Sequence, residues 1–141
     1  MFDLFNFFVG AVVESIEVHA ISPATEYFSP SDNFVTTLKY TDGSVCTLIY
    51  TALGASDVGK EYIEIYCDGK VMIIDDFRAL RVYGGKAGGW KGPQDKGHLQ
   101  ELEAFGRSVR DPGTWPITLA ELVESTKVSF LVNDQVRARK T

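Results

Sequence analysis

The chain has 141 residues, 45% of them hydrophobic and 23% charged, with 14 basic against 19 acidic side chains and a net charge of −5. That length can bury a core without disulfide or metal staples. The acidic balance, with no basic cluster interleaved with aromatics, argues against a nucleic-acid surface.

The opening run Met1-Phe-Asp-Leu-Phe-Asn-Phe-Phe-Val-Gly-Ala-Val-Val13 has no Lys or Arg before Lys39 and is broken by Asp3 and Asn6. It lacks the basic start of a secretory signal and falls short of the about 20 apolar residues of a membrane span, so neither targeting nor a membrane is expected. Phe2, Phe5 and Val9 share one stripe of a helix over Phe2 to Val9, with Gly10 in the stop position. No capping residue leads into it, which reads as a chain that starts inside an element of something longer. Val12 to Ile21 alternates as a strand, ended by Ser22-Pro23, and a loop follows to Asp32.

Two β-hairpins occupy Asn33 to Asp76, each turning on an Asp-Gly dipeptide, Asp42-Gly43 and Asp68-Gly69. Two-residue loops pair Thr41 with Ser44 and Cys67 with Lys70. The first pairing groups Phe34, Thr36, Leu38, Tyr40, Val45, Thr47, Ile49 and Thr51 on one face; the second sets Tyr62, Glu64, Tyr66, Val71, Ile73 and Asp75 against an apolar face. Neither hairpin has a plainly polar side, which predicts a sheet covered by helices on one face and by another protein surface on the other. Cys46 and Cys67 both fall inside these strands and are expected to be small buried thiols rather than a disulfide or metal ligands, as fits a reducing cytoplasm.

Leu80 to Tyr83 adds a short strand, and the run from Gly84 to Gln94 reads as a mobile glycine-rich connector. Its spacing fits neither a dinucleotide fingerprint nor a P-loop, since Trp90 stands where a Lys is required. Asp95 is expected to cap a helix running to about Arg110, with Leu99, Leu102, Phe105 and Val109 at helical spacing. Thr118 and Glu121 form a capping box for a last helix whose apolar face is read as Leu119, Leu122, Val123, Thr126, Phe130 and Leu131, with a basic tail to Lys140. Strands followed by helices predict an α+β single domain: an open, mainly antiparallel sheet built on two hairpins, helices on one face, the other face for oligomerisation.

Chemistry is sparse. Gln94-Asp-Lys-Gly-His98 is a polar cluster at a loop-to-helix junction, where the positive helix end would favour a neutral imidazole and an anionic ligand. Asp75 and Asp76, adjacent on a strand, point to opposite faces unless the strand ends there. His19 has no cluster partner in sequence, so no metal site is expected, and no serine or cysteine sits in a nucleophile context.

The segments Phe2 to Gly10, Asp32 to Val45, Glu64 to Gly69, Asp75 to Phe77 and Gln94 to Phe105, in this order and spacing, resemble the C-terminal domain of the Gfo/Idh/MocA oxidoreductases, over nearly the whole chain. The resemblance is nearest to dehydrogenases with the Asp-Lys-Gly-His run found here at Asp95 to His98. It implies an intact enzyme with an N-terminal Rossmann domain binding NAD or NADP, and a C-terminal domain shaping the pocket for a sugar or related polyol and making dimer or tetramer contacts. Asp3 matches the aspartate that follows the family's catalytic histidine, which would fall one position before Met1. The expectation is therefore no catalytic residue and no cofactor site in this chain alone, with Asp3, Lys96 and His98 as substrate-facing candidates. A homodimer through the sheet face, or a separate Rossmann-domain chain, would be the partner. A stand-alone dimerisation or binding module without catalysis is the alternative.

Overall fold

The computed structural model describes residues 1–22, 26–86 and 88–138. The element order is α1 (Phe2–Val9), β1 (Val13–Ala20), a 3₁₀ turn (Pro30–Asp32), β2 (Asn33–Tyr40), β3 (Val45–Thr51), β4 (Tyr62–Cys67), β5 (Lys70–Asp75), β6 (Ala79–Tyr83), β7 (Gly88–Lys91), α2 (His98–Arg110) and α3 (Leu119–Ala138). The class is α+β with open antiparallel sheets. β1-β2-β3 form one sheet and β4-β5-β6-β7 another, so each predicted hairpin seeds its own sheet. The backbone divides into two compact units, Met1–Gly54 with Ile117–Thr141, and Ala55–Pro116.

In the first unit α1 and α3 cover one face of the three-stranded sheet. Phe5, Val18, Leu38, Tyr40, Val128, Val132 and Val136 are buried together there, and each aliphatic side chain contributes about 1.5–3 kcal/mol of transfer free energy. Gly10 ends α1 in the left-handed region at φ 70°, its amide on the Asn6 carbonyl, as the sequence predicts. Inside this interface Tyr40 donates its hydroxyl to Asn6 Oδ1 at 2.9 Å, Asn6 Nδ2 donates to Ser125 Oγ at 3.4 Å, and Gln135 Nε2 donates to the Ile16 carbonyl at 3.0 Å. The first and third of these bonds cross from helix to sheet, and the second ties α1 to α3.

The first hairpin departs from the expected register by one residue. Leu38 pairs with Cys46 and Lys39 with Val45, so Tyr40 rather than Thr41 lies opposite Ser44, and the loop is Thr41-Asp42-Gly43. The cause is local: only Gly43, at φ 88°, takes a left-handed conformation, while the Asp42 carboxylate accepts the Ser44 amide at 2.9 Å and its hydroxyl at 3.0 Å. That is a three-residue loop with a glycine bulge rather than a two-residue type I′ turn. The slip turns β3 over. Cys46 and Leu48 join Leu38 and Tyr40 on the helix side, and Val45, Thr47 and Ile49 face outward with Val35, Thr37 and Lys39; Ile49 is 71% exposed.

Helix α3 also presents a different stripe from the one expected. The Thr118–Glu121 capping box forms, with the Glu121 amide on Thr118 Oγ1 at 3.2 Å and the Thr118 amide on Glu121 Oε2 at 2.7 Å. Its buried stripe, however, is Val128, Val132 and Val136, four residues apart, whereas Leu119, Leu122, Val123, Phe130 and Leu131 are exposed. Hydrophobicity alone favours burying the bulkier face, but it is the β-branched valine face that packs with Val18, Leu38 and Tyr40 of the strands. The predicted basic tail at Arg139 and Lys140, and part of the loop at residues 23–25, lie outside the described residues.

In the second unit the hairpin follows expectation. Cys67 pairs with Lys70, and Asp68 and Gly69 hold φ values of 49° and 72°, the two positive angles of a type I′ turn. The glycine-rich connector instead contains β7, which pairs Gly89 with Arg81 and Trp90 with Leu80. Glycine is needed there because a Cβ on Gly89 would sit 2.6 Å from the Leu80 carbonyl oxygen. Helix α2 starts at His98, three residues after the expected cap: Asp95 Oδ1 accepts the Gly97 amide at 2.9 Å, and Gly97 itself takes the cap position at φ 77°. Its stripe Leu99, Leu102, Phe105 and Val109 is exposed. Neither cysteine is fully buried. Burial and the charge of Asp42 push the half-buried Cys46 thiol up, and Cys67 is exposed because β4 ends there.

Candidate functional site

The polar density of the second unit gathers where β5 ends. Asp75 is the last residue of that strand, and Asp76 and Phe77 both turn through positive φ, 47° and 51°. Non-glycine residues in that region cost of order 1–3 kcal/mol each and persist where their surroundings hold them. Here the Asp76 amide donates to the Glu61 carbonyl at 2.7 Å, Gln94 Nε2 donates to the Asp76 carbonyl at 3.0 Å, and the Asp95 amide donates to the Phe77 carbonyl at 3.1 Å. The turn is pinned on both sides.

Asp76 and Glu61 extend the β4–β5 register, in which Tyr62 faces Asp75, so their side chains are cross-strand neighbours. Glu61 Oε1 takes an ion pair from Lys96 Nζ at 2.7 Å, and that ammonium lies 6.0 Å from the centre of the Phe77 ring. Glu61 Oε2 is shielded from solvent and receives no donor among the described residues. Burial opposes ionisation of Asp76, but hydrogen bonds from Arg78, whose Nε lies at 3.1 Å, from the Glu61 side chain and from the amides of Glu61 and Lys60 outweigh it and hold Asp76 below its usual 3.8.

Of the three sequence candidates, Lys96 and His98 stand at this junction. Lys96 is committed to Glu61, while His98 is the exposed first residue of α2. Asp3 belongs to the other unit, exposed on α1 and 3.1 Å from the N-terminal ammonium. Partial burial works against its charge; the hydrogen bond and charge of that ammonium and the amides of Leu4 and Asp3 prevail and lower it. Glu61 and Arg78 were not singled out in the sequence, and Asp76 was considered only as a pair with Asp75 and read as a solvated strand end. The signal was the exception to the alternation rule: Asp75 and Asp76 part only if the strand continues, and it stops between them.

Beside this junction an open groove of about 610 Å³ runs along β6 and β7, lined by Asp75, Arg81, Tyr83, Gly89, Trp90 and Lys91 among others. Arg81 reaches Asp75 at 3.6 Å across the groove floor, where it pairs in register with Gly89. Cationic and aromatic groups around a shallow groove suit a polar, ring-shaped or anionic ligand. In the first unit a smaller apolar hollow of about 400 Å³ lies on the outer face of α3, formed by Leu122, Val123, Thr126, Lys127 and Phe130. Among the described residues no group of His, Cys, Asp and Glu is placed to hold a metal ion, and no helix is long and apolar enough to cross a membrane.

No family model matches the sequence, and no curated protein matches it. Solved structures do. The fold is similar to that of a UDP-N-acetylglucosamine 3-dehydrogenase, GnnA, from Acidithiobacillus ferrooxidans, with a TM-score of 0.77 at 14% identity over 97% of this chain and 45% of that one. It is also similar to the WlbA dehydrogenase from Bordetella pertussis in complex with NADH and UDP-GlcNAcA, with a TM-score of 0.59 at 18% identity over 97% of this chain and 40% of that one. The chain thus spans less than half the length of the dehydrogenases whose fold it shares.

Proposed function

We propose that the chain is the substrate-shaping and oligomer-forming C-terminal domain of a cytoplasmic NAD(P)-dependent dehydrogenase of the Gfo/Idh/MocA type, acting on a sugar, sugar nucleotide or related polyol. The observation that carries this reading is the fold match over 97% of the chain to 40–45% of two dehydrogenases, one a UDP-N-acetylglucosamine 3-dehydrogenase and the other solved in complex with NADH and UDP-GlcNAcA. Hydride chemistry belongs to the remaining part of such an enzyme, where NAD or NADP would sit. The exposed apolar stripes of α2 and α3 support it, since uncovered leucine and phenylalanine rows mark surfaces built to be covered.

Within that enzyme this chain binds and orients substrate. Glu61 holds the Lys96 ammonium over Phe77, at the edge of the junction that also carries His98. Lys96 and His98 there offer a positive charge and ring nitrogens to hydroxyl or phosphate oxygens. Asp3 would stand at the boundary with the catalytic half.

The test is calorimetric titration of the chain with NADH and with UDP-N-acetylglucosamine, followed by amide shifts at Lys96 and His98. The chain is expected to bind no NADH and to show sugar-nucleotide shifts at these positions. Micromolar NADH binding, or shifts confined elsewhere, would overturn the assignment.

A further inference from the structure

The groove along β6 and β7 carries cationic chemistry that the Lys96–His98 junction does not use. The strand register explains how. Arg81 pairs with Gly89 and Ala79 with Lys91, so the two cations stand on one face, diagonally across the strand pair, and the other diagonal holds only Ala79 and Gly89. Diagonal neighbours of this kind are about 7–8 Å apart, within reach of two long side chains that converge on one small anion.

Both cations keep donors to spare. Asp75 approaches Arg81 Nη2 at 3.6 Å, close enough to steady the guanidinium but too long for a hydrogen bond, so its N–H groups stay available. Lys91 is exposed and takes part in none of the ion pairs among the described residues. Tyr83 follows Arg81 by two positions on the same face and is exposed, adding a ring and a hydroxyl to the groove. Two strands away on that face stands Glu64, opposite Ile73, its oxygens held by the hydroxyls of Tyr62 and Tyr66 at 2.9 and 3.0 Å. The face is therefore polarised, with fixed negative charge on β4 and positive charge on β6 and β7, and an anion settles toward β7.

We propose that this groove is a binding site for an acidic sugar, a hexuronate or a hexose phosphate, separate from the Lys96–His98 junction. Arg81 and Lys91 take the acid group through charge-assisted hydrogen bonds, Tyr83 lies against the sugar ring, and Asp75 accepts from ring hydroxyls. The groove volume of about 610 Å³ suits a ligand of that size. The paired cations also select the ligand. On a chain of net charge −5 an anion is repelled from most of the surface, a neutral sugar leaves Arg81 and Lys91 without a partner, and a bare inorganic anion has no ring to set against Tyr83. The site does not depend on which cofactor or substrate the dehydrogenase half takes.

Calorimetric titration of the full chain, mapped by amide shifts, tests it with glucuronate, glucose 6-phosphate, glucose and inorganic phosphate as probes. The first two distinguish which acid group the cations take; at least one should bind with shifts at Arg81, Tyr83 and Gly89, and glucose should not. Arg81→Gln and Lys91→Gln should each weaken that binding by about tenfold with unchanged circular dichroism. Tyr83→Ala should weaken the acidic sugar and leave inorganic phosphate as it was. Lys39→Gln, which removes a positive charge from the other unit, should change nothing. Inorganic phosphate bound as tightly as the sugars, shifts confined to Lys96 and His98, full affinity in Arg81→Gln, or a self-associated chain whose groove no sugar reaches would each overturn the proposal. Binding of UDP-N-acetylglucosamine at the junction is read at Lys96 and His98, so its failure bears on the dehydrogenase reading and leaves these outcomes untouched.

Discussion

Single residues decide how the sheets sit on their helices. Tyr40 is fully buried yet carries a hydroxyl, and burial, with the charges of Cys46, Glu124 and Asp42 adding to it, pushes that hydroxyl far above its ordinary value of 10.0. A neutral phenol donating to Asn6 Oδ1 is the state that the site accepts. Tyr40→Phe removes the donor and strands the Asn6 oxygen in the interface, so it should cost about 1–3 kcal/mol in urea unfolding. Gly43 and Gly69 show how little sequence separates two turn types. Both follow an aspartate, but Asp42 spends its carboxylate on Ser44 and keeps a negative φ, whereas Asp68 accepts φ 49°. The dipeptide announces a hairpin in both places, while the hydrogen bond of one side chain sets the register and with it the face on which Ile49 emerges.

Among the elements, the turn between β5 and β6 ties the second unit together. Its Asp76 accepts hydrogen bonds from Arg78 and from the amides of Glu61 and Lys60, with Glu61 and Lys96 beside it. Because the folded-state value is depressed below 3.8, the ionised carboxylate stabilises the fold above that value, and this contribution disappears as pH falls through the lower folded-state value. Asp76→Asn should therefore be less stable than the natural chain at neutral pH and show a shallower loss below about pH 4, read from urea midpoints across a pH series. The Asp95–His98 junction was legible as a polar loop-to-helix boundary. Its geometry was not, because Asp95 bonds to Gly97 and leaves the cap to a left-handed glycine. The Glu61–Asp76 contact was equally hidden, since it joins residues fifteen positions apart through strand pairing.

For the molecule as a whole, apolar surface remains on both units. In the first, α3 buries valines and exposes Leu122 and Phe130; in the second, α2 exposes Leu99, Leu102 and Phe105. Phe130→Ser should thus change unfolding free energy by no more than about 0.5 kcal/mol, while Val128→Ser should destabilise markedly, by the same urea titration. A large loss at Phe130 would show that its side chain packs within the chain. The sequence by itself determined the hairpins, the helix termini at Gly10 and Thr118 and the α+β class, because each is written in local periodicity or turn chemistry. The tertiary structure alone decided the β3 register, the division into two sheets, the choice of the valine stripe on α3 and the meeting of Glu61 with Asp76. Those depend on which surfaces fit, and a one-residue slip or a quarter turn of a helix changes every partner without changing the hydrophobic pattern.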